Sequence, residues 1–224
     1  MKAEKALIIY GSPKGMKGSA ANLADYFASR LQEKGLQVEK VGAYRSLTNA
    51  EEKERLLDGF DKADVVLVCF PLYVDTLPAG LLAALRIIIE NEARFSRKER
   101  VLAAECHCGF PESSQTVTAL VNCRHFANRM GMKYVGGIGL GQGSMLLGTS
   151  LTEMKYARNH LPLFDQAIDA IVKGEEMPKS VLDGLKRPFV PSWLYLLFAN
   201  RGWNSRAKKN GVRRRIKEMP YLKE

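Results

Sequence analysis

The chain has 224 residues, of which 46% are hydrophobic and 26% are charged. This length fits one domain with an appendage, and the composition is globular, which excludes a largely disordered chain. The formal net charge of +10 is unevenly placed, because residues 1–175 hold 22 Lys/Arg against 20 Asp/Glu and residues 176–224 hold 12 against 4. We therefore predict a nearly neutral domain over residues 1–175 and a basic extension over residues 176–224.

Targeting signals and disulfide patterns are not evident in the sequence. The N-terminus lacks the cleavage site of a secretory signal, and the longest apolar run near the C-terminus is too short for a membrane-spanning helix. The four cysteines, Cys69, Cys106, Cys108 and Cys123, lack the spacing of a disulfide scaffold. These features predict a cytoplasmic protein with reduced thiols.

Short apolar runs alternate with segments of helical periodicity over residues 1–175. The runs are unbroken, which is typical of parallel strands that are buried on both faces. We predict strands over residues 6–10, 38–41, 64–70, 101–104 and 134–140, and helices over residues 20–34, 50–62, 79–92, 114–130 and 152–173. This order predicts an α/β fold with a doubly wound, five-stranded parallel sheet that binds ligands beyond the carboxyl ends of its strands.

The loop after the first predicted strand, residues 11–22, contains three glycines, two serines and two lysines. Such a loop presents backbone amides, hydroxyl groups and a helix N-terminus to an anion. Its sequence matches neither the Walker pattern nor Gly-x-Gly-x-x-Gly. We interpret it as a phosphate-binding loop, and the alternative is a flexible connection without a ligand.

Two further loops follow predicted strands. Residues 71–79 combine two prolines with Tyr73, which suits a flat aromatic ligand. Residues 106–112 include Cys106, His107 and Cys108, and Cys123 and His125 follow in the chain. Because the spacing fits neither a zinc site nor an iron–sulfur site, we predict no metal. We interpret residues 106–112 as a loop that contacts a ring system, with an inert thiol pair as the alternative.

Together the loops resemble the NADPH-dependent FMN reductases, a group of NAD(P)H-dependent oxidoreductases in the flavodoxin-like superfamily. The matching motifs are Gly-Ser-Pro-Lys at residues 11–14, Pro-Leu-Tyr-Val-Asp-Thr-Leu-Pro-Ala at 71–79 and Cys-Gly-Phe-Pro-Glu at 108–112, with a further likeness over 124–143. The resemblance covers roughly residues 4–175. Its most specific part is the pattern Pro-x-Tyr-x-x-x-x-Pro that begins at Pro71.

The resemblance implies an FMN-dependent enzyme that passes hydride from NAD(P)H to flavin and then electrons to an acceptor. The acceptor classes are a quinone, a nitro or azo compound, a flavin or a protein. No catalytic side chain is implied, although Tyr73 and His107 are the nearest candidates for protonating an acceptor. The implied flavin contacts are Ser12, Lys14, Ser19, Ala20, Ala21, Pro71, Leu72, Tyr73, Val74, Cys108, Gly109 and Phe110.

One position departs from the family pattern. Ala20 stands where the family commonly has Thr or Ser, so one hydroxyl donor is missing, and backbone amides, Ser19 and Lys14 or Lys17 would have to compensate. Two alternatives to the enzyme stay open. One is a flavodoxin-like electron carrier without NAD(P)H activity, and the other is a flavin-free docking module on the same scaffold.

The predicted extension combines apolar and basic segments. Residues 188–198 are rich in aromatic and aliphatic side chains, and a basic helix candidate with Val212, Ile216 and Met219 on one face follows Trp203. This pattern suits a peripheral contact with anionic lipid. The interpretation that we favour is a dimer interface or an arm packed on the sheet domain, with its cations in solvent, and it predicts a homo-oligomer. Nucleic-acid binding is not expected, because no known module surrounds the basic run.

Overall fold

The computed structural model describes residues 3–219. The chain divides into two compact units, Met1–Phe189 and Val190–Glu224. The division falls later in the chain than the predicted boundary at residue 175. The intervening segment joins the first unit because Met177, Val181 and Leu185 are buried in its core.

A single five-stranded sheet forms the centre of the first unit. All neighbouring strands pair in parallel, in the order β2-β1-β3-β4-β5. The strands are β1 (Lys5–Tyr10), β2 (Gln37–Gly42), β3 (Val65–Pro71), β4 (Val101–His107) and β5 (Lys133–Leu140). This order confirms the predicted doubly wound sheet, whose switch point lies between β1 and β3.

Seven helices accompany the described part of the sheet unit, and an eighth lies in the second unit. They are α1 (Ser19–Glu33), α2 (Arg45–Thr48), α3 (Ala50–Lys62), α4 (Ala79–Glu90), α5 (Val117–Arg129), α6 (Leu161–Lys173), α7 (Lys179–Leu185) and α8 (Ser192–Lys209). Local signals fix several helix ends. The side chain of Asn49 accepts a hydrogen bond from the amide of Glu52 at the start of α3, and Gly174 ends α6 with a φ of 67°.

Alternate residues of the central strands supply two separate cores. Ile8 and Leu67 pack in a cluster that includes residues of α1, α6 and α7. Leu7 and Val66 point to the opposite face and pack in a cluster with residues of α3, α4 and α5. The unbroken apolar runs thus reflect strands covered on both faces.

Two predicted elements differ from the structure. The helix predicted over residues 152–173 begins only at Leu161, because Pro162 is tolerated in the first turn of a helix but not in its interior. The strand predicted over residues 101–104 continues to His107, so Cys106 and His107 belong to β4 and not to the loop that follows. Ladder pairing of β4 with β3 and β5 extends to His107 and outweighs the polar side chains at its end.

In the second unit, α8 ends at Lys209. The basic helix predicted after Trp203 is therefore not continuous: Gly211 has a φ of 70°, and Arg213–Arg215 form only a 3-10 turn. A glycine in the left-handed region breaks an α-helix. None of the helices between residues 3 and 219 has the length and apolarity needed to cross a membrane.

Candidate functional site

The loop between β1 and α1 is held in place by its own backbone. The amide of Gly11 donates to the carbonyl of Cys69 on β3 at 2.8 Å, and the amide of Lys14 donates to Ser12 Oγ at 3.2 Å. Gly15 has a φ of 55° and opens a 3-10 turn that ends before Gly18. The loop is therefore a defined turn at the switch point of the sheet and not a slack connection.

The N-terminus of α1 opens onto this loop. Gly18 at the N-cap has no side chain to cap the helix. Its carbonyl accepts hydrogen bonds from the amides of Ala21 and Asn22. Within the described residues this leaves the amides of Ser19 and Ala20 as donors of the first turn, where the helix dipole favours a negative charge. Lys14 and Lys17 in the same loop are exposed cations.

A chain of three polar side chains links α1 to β4. Ser19 Oγ and His107 Nε2 share a hydrogen bond of 2.7 Å, and His107 Nδ1 lies 3.1 Å from Glu105 Oε1. Glu105 is fully buried and His107 is 2% exposed. Burial raises the pKa of the Glu105 carboxyl, and the neighbouring His107 opposes that rise. The imidazole orients the Ser19 hydroxyl and brings ionisable groups to the first turn of α1.

The loop between β3 and α4 forms a tight turn. The amide of Tyr73 donates to the carbonyl of Thr76, and the amide of Thr76 donates to the carbonyl of Tyr73, both at 3.1 Å. Both central residues, Val74 and Asp75, have positive φ values of 48° and 59°. Two positive φ angles are the mark of a type I′ turn, in which a β-branched residue such as valine is strained. Asn122 on α5 donates to Thr76 Oγ1 at 3.0 Å and so fixes the turn.

We expect Val74→Asn to raise the free energy of unfolding by about 1 kcal/mol, because asparagine tolerates the left-handed region that valine disfavours. The side chain of Val74 is 95% exposed, so its removal costs little burial. Urea denaturation of both proteins measures the difference. Val117→Asn is a matched control, since Val117 is 53% exposed and lies in α5. A stability of Val74→Asn at or below that of the unmodified protein would contradict strain at this turn.

The loop between β4 and α5 is tied to the end of β5. The amide of Gly143 donates to the carbonyl of Cys108, and the amide of Gln142 donates to that of Phe110, both at 2.7 Å. Cys108 is buried, its thiol faces the carbonyl of Glu112 at 3.4 Å, and burial raises the pKa of that thiol. Phe110 is 56% exposed.

No group of three or more His, Cys, Asp or Glu side chains suited to a metal occurs among residues 3–219.

The structure brings the predicted loops together at one edge of the sheet. They meet at His107, the last residue of β4 before the third loop: its carbonyl accepts a hydrogen bond from the amide of Leu72 in the second loop, and its ring bonds to Ser19 beside the first loop. Ser12, Ala20, Ala21 and Cys108 are buried, whereas Tyr73, Val74 and Phe110 are exposed. The methyl groups of Ala20 and Ala21 lie in the core, and the amide of Ala21 donates to the carbonyl of Gly18. Of these two residues, Ala20 therefore offers a ligand its amide, whereas the predicted contact through Ala21 is not supported.

Two parts of this edge were not predicted as site residues. Glu105 is an acidic residue inside the apolar run Val-Leu-Ala-Ala-Glu-Cys, and a charge in a buried strand is a signal that a partner must be near. Gln142, which has a φ of 56° and is fully buried, supports the third loop from the end of β5. No pattern in the sequence singles it out.

Comparisons with known proteins agree with this architecture. A family model described as flavodoxin-like fold matches residues 4–100. A solved NADH:FMN oxidoreductase in its apo form aligns at 18% identity over 84% of this chain and 96% of that chain, with a TM-score of 0.55. A flavodoxin from Streptococcus pneumoniae TIGR4 aligns at 15% identity over 76% of this chain and 99% of that chain, with a TM-score of 0.51.

A further solved structure, a flavone reductase, aligns at 14% identity over 76% of this chain and 62% of that chain, with a TM-score of 0.55. A search of curated proteins finds no match to this chain. At these identities the solved structures share a fold with the chain, and the family model matches its first strands and loops. The chain is therefore a protein of the flavodoxin-like fold, as the resemblance of its loops predicted.

Proposed function

We propose that this chain is an FMN-dependent NAD(P)H oxidoreductase that transfers electrons to a separate acceptor. The observation that carries the proposal is the meeting of three structured loops at the switch point of the sheet. One loop offers free amides and a hydroxyl at a helix N-terminus, and the other two carry exposed aromatic side chains. Flavin mononucleotide combines a phosphate with a flat ring system, which is the combination that these loops suit.

The phosphate of FMN fits the first loop. The amides of Ser19 and Ala20 and the hydroxyl of Ser19 are donors at the positive end of the α1 dipole, and Lys14 and Lys17 add positive charge. Ala20 lacks the hydroxyl that the family commonly has there. Its methyl group is buried, so in our proposal the amides, Ser19 and the two lysines would supply the contacts instead.

The ring system of FMN fits the second and third loops. Tyr73 and Phe110 are 41% and 56% exposed, and Pro71 and Leu72 are half-buried beside them in the chain. Exposed aromatic and apolar side chains on rigid turns suit a planar ligand, because little conformational entropy is lost on binding. Pro71–Val74 and Cys108–Phe110 would hold the ring, as the resemblance implies.

Bound FMN would supply the redox chemistry between a nicotinamide and an acceptor. The residues of this chain would bind and orient it: the amides at the start of α1 would donate hydrogen bonds to the phosphate, and His107 holds the Ser19 hydroxyl in place at 2.7 Å. Two solved structures that share this fold, an NADH:FMN oxidoreductase and a flavone reductase, favour reductase chemistry over simple electron carriage. The near balance of acidic and basic residues over 1–175 favours it as well, since flavodoxin carriers are typically acidic.

Titration of the purified protein with FMN tests the proposal directly. We expect flavin absorbance that stays with the protein and is bleached by NADH or NADPH under anaerobic conditions. Ser19→Ala should weaken FMN binding by about tenfold or more, because a hydrogen bond to a charged group contributes about 1.5–3 kcal/mol. Ser29→Ala is the matched control, since Ser29 lies exposed on the same helix and its hydroxyl donates to Glu33.

Each outcome of this experiment has a defined meaning. Bound flavin that ignores both nicotinamides would overturn the oxidoreductase and leave the electron carrier. Absence of flavin uptake at micromolar FMN would overturn both and favour a flavin-free module. Equal FMN affinity of Ser19→Ala and Ser29→Ala would remove Ser19 from the phosphate site.

A further inference from the structure

One face of helix α8 exposes a stripe of large apolar side chains. Trp193, Leu196, Leu197 and Trp203 are 69%, 46%, 58% and 67% exposed. Leu196, Leu197 and Trp203 follow Trp193 by three, four and ten residues. All four side chains therefore lie on one side of the helix, over a length of about 15 Å. An exposed stripe of this size on a helix marks a contact surface rather than scattered surface residues.

The same unit is strongly cationic. Residues 190–219 contain eight Lys/Arg and one Asp/Glu. The guanidinium of Arg206 lies over the ring of Trp203 at 5.5 Å, so a cation accompanies the apolar stripe. Beyond α8, three consecutive arginines form the turn Arg213–Arg215, and Val212, Ile216 and Met219 beside them are exposed.

The combination of charges and apolar side chains identifies the partner. A second copy of this chain would bring the same cations face to face in a symmetric contact, which opposes association through this surface. Nucleic acid would pair with the cations but would leave Leu196 and Leu197 without an apolar partner. An anionic lipid surface provides partners for both the cations and the apolar side chains. Its headgroups attract Lys and Arg, while tryptophan and leucine enter the interface.

We propose that α8 and the basic turn that follows it form a docking surface for anionic lipid membranes. Trp193, Leu196, Leu197 and Trp203 enter the headgroup region, where tryptophan is favoured. The arginines and lysines of residues 201–217 contact the anionic headgroups. The surface holds the protein at the membrane without crossing it, and its test needs no flavin.

The two tryptophans of the chain are both on this stripe, so tryptophan fluorescence reports on the docking surface alone. We expect a shift of emission to shorter wavelengths, and co-sedimentation, with vesicles of phosphatidylcholine plus phosphatidylserine but not with phosphatidylcholine alone. Leu196→Ser/Leu197→Ser should weaken binding by about tenfold, and Arg213→Gln/Arg214→Gln/Arg215→Gln by about tenfold or more. High salt should weaken the binding of the unmodified protein.

Matched controls lie in the first unit. Leu82→Ser removes a leucine that is 43% exposed on α4, and Arg97→Gln/Lys155→Gln/Arg158→Gln removes three exposed cations. Both controls should bind the vesicles as the unmodified protein does. Equal loss in the control and test variants would overturn the proposal, as would absence of binding to the vesicles that contain phosphatidylserine. A dimer that Leu196→Ser/Leu197→Ser converts to a monomer in light scattering, without vesicle binding, would assign the surface to a second copy instead.

Discussion

Replacing His107 by alanine is expected to lower the free energy of unfolding by about 3 kcal/mol or more. Glu105 is fully buried, and His107 is its side-chain hydrogen-bond partner at 3.1 Å. Without His107 the buried Glu105 carboxyl keeps its hydrogen bond with the backbone of Phe70 but loses its histidine partner, and breaking a buried polar pair costs more than the pair itself contributes. Urea denaturation at neutral pH measures the loss. The exposed His125 on α5 provides the control His125→Ala, which should change stability by about 0.5 kcal/mol or less.

The pH dependence of stability in His107→Ala follows from the pKa of Glu105. Burial raises the pKa of this carboxyl in the folded state, and loss of His107 removes the effect that opposes the rise. The folded state then retains the proton to higher pH than the unfolded state, whose glutamate pKa is about 4.3. Stability is therefore highest below that pKa and falls as the pH rises towards the folded-state value.

A double substitution separates the buried charge from the lost packing. Glu105→Met/His107→Leu replaces both polar groups by apolar side chains, and such replacements of buried pairs are often neutral or stabilising. We expect it to recover most of the stability that His107→Ala loses. A loss in His107→Ala no larger than in His125→Ala, or the absence of any pH effect, would contradict a coupled Glu105–His107 pair.

Gly18→Ala is expected to weaken FMN binding more than tenfold. A Cβ atom at this position would lie 2.5 Å from Ser12 Oγ and 3.3 Å from the carbonyl oxygen of Gly15. The backbone of Gly18, with a φ of −87° and a ψ of 156°, is open to any residue, so the effect comes from lack of space and not from dihedral strain. The loop would have to move away from the first turn of α1, and the hydrogen bonds that we propose for the FMN phosphate would be lost, each worth about 1.5–3 kcal/mol.

FMN titration and urea denaturation of the same variant distinguish two explanations. We expect a loss of stability of about 1–2 kcal/mol together with the loss of affinity, since overpacking costs roughly that much. Gly202→Ala is the control, because a Cβ atom at Gly202 would meet nothing within 4 Å. Unchanged FMN affinity in a Gly18→Ala protein that is nevertheless destabilised would show that the loop packs as described but does not hold the phosphate.

Much of the fold could be predicted because strand and helix signals are local. The apolar run that ends at Phe70 and Pro71 and the charged helix that starts after Asn49 are set by periodicity and capping within a few residues. Pro162 also indicates the late start of α6, because proline is favoured in the first turn of a helix. The helical periodicity over residues 152–173 nevertheless led to a longer predicted helix. The length of β4 could not be predicted from local signals, because the strand extends to His107 through pairing with β3 and β5.

The candidate site likewise has features that the sequence predicts locally and features that depend on distant residues. The amino-acid types of the three loops were sufficient to predict an anion-binding turn beside two aromatic loops, because a parallel sheet brings the ends of its strands to one edge. They were not sufficient to predict that Ser19 would meet His107, a residue 88 positions away in the chain. Nor did they show that the methyl group of Ala20 lies in the core and leaves only its amide for a ligand.

The sequence by itself thus determined the order of strands and helices, the three loops and the concentration of positive charge near the C-terminus. The tertiary structure alone decided the Glu105–His107–Ser19 chain, the strained turn at Val74 and the exposed stripe of α8. The physical reason is that periodicity and turn chemistry act between neighbours in the chain. Hydrogen bonds and burial depend on which distant segments the folded sheet brings together.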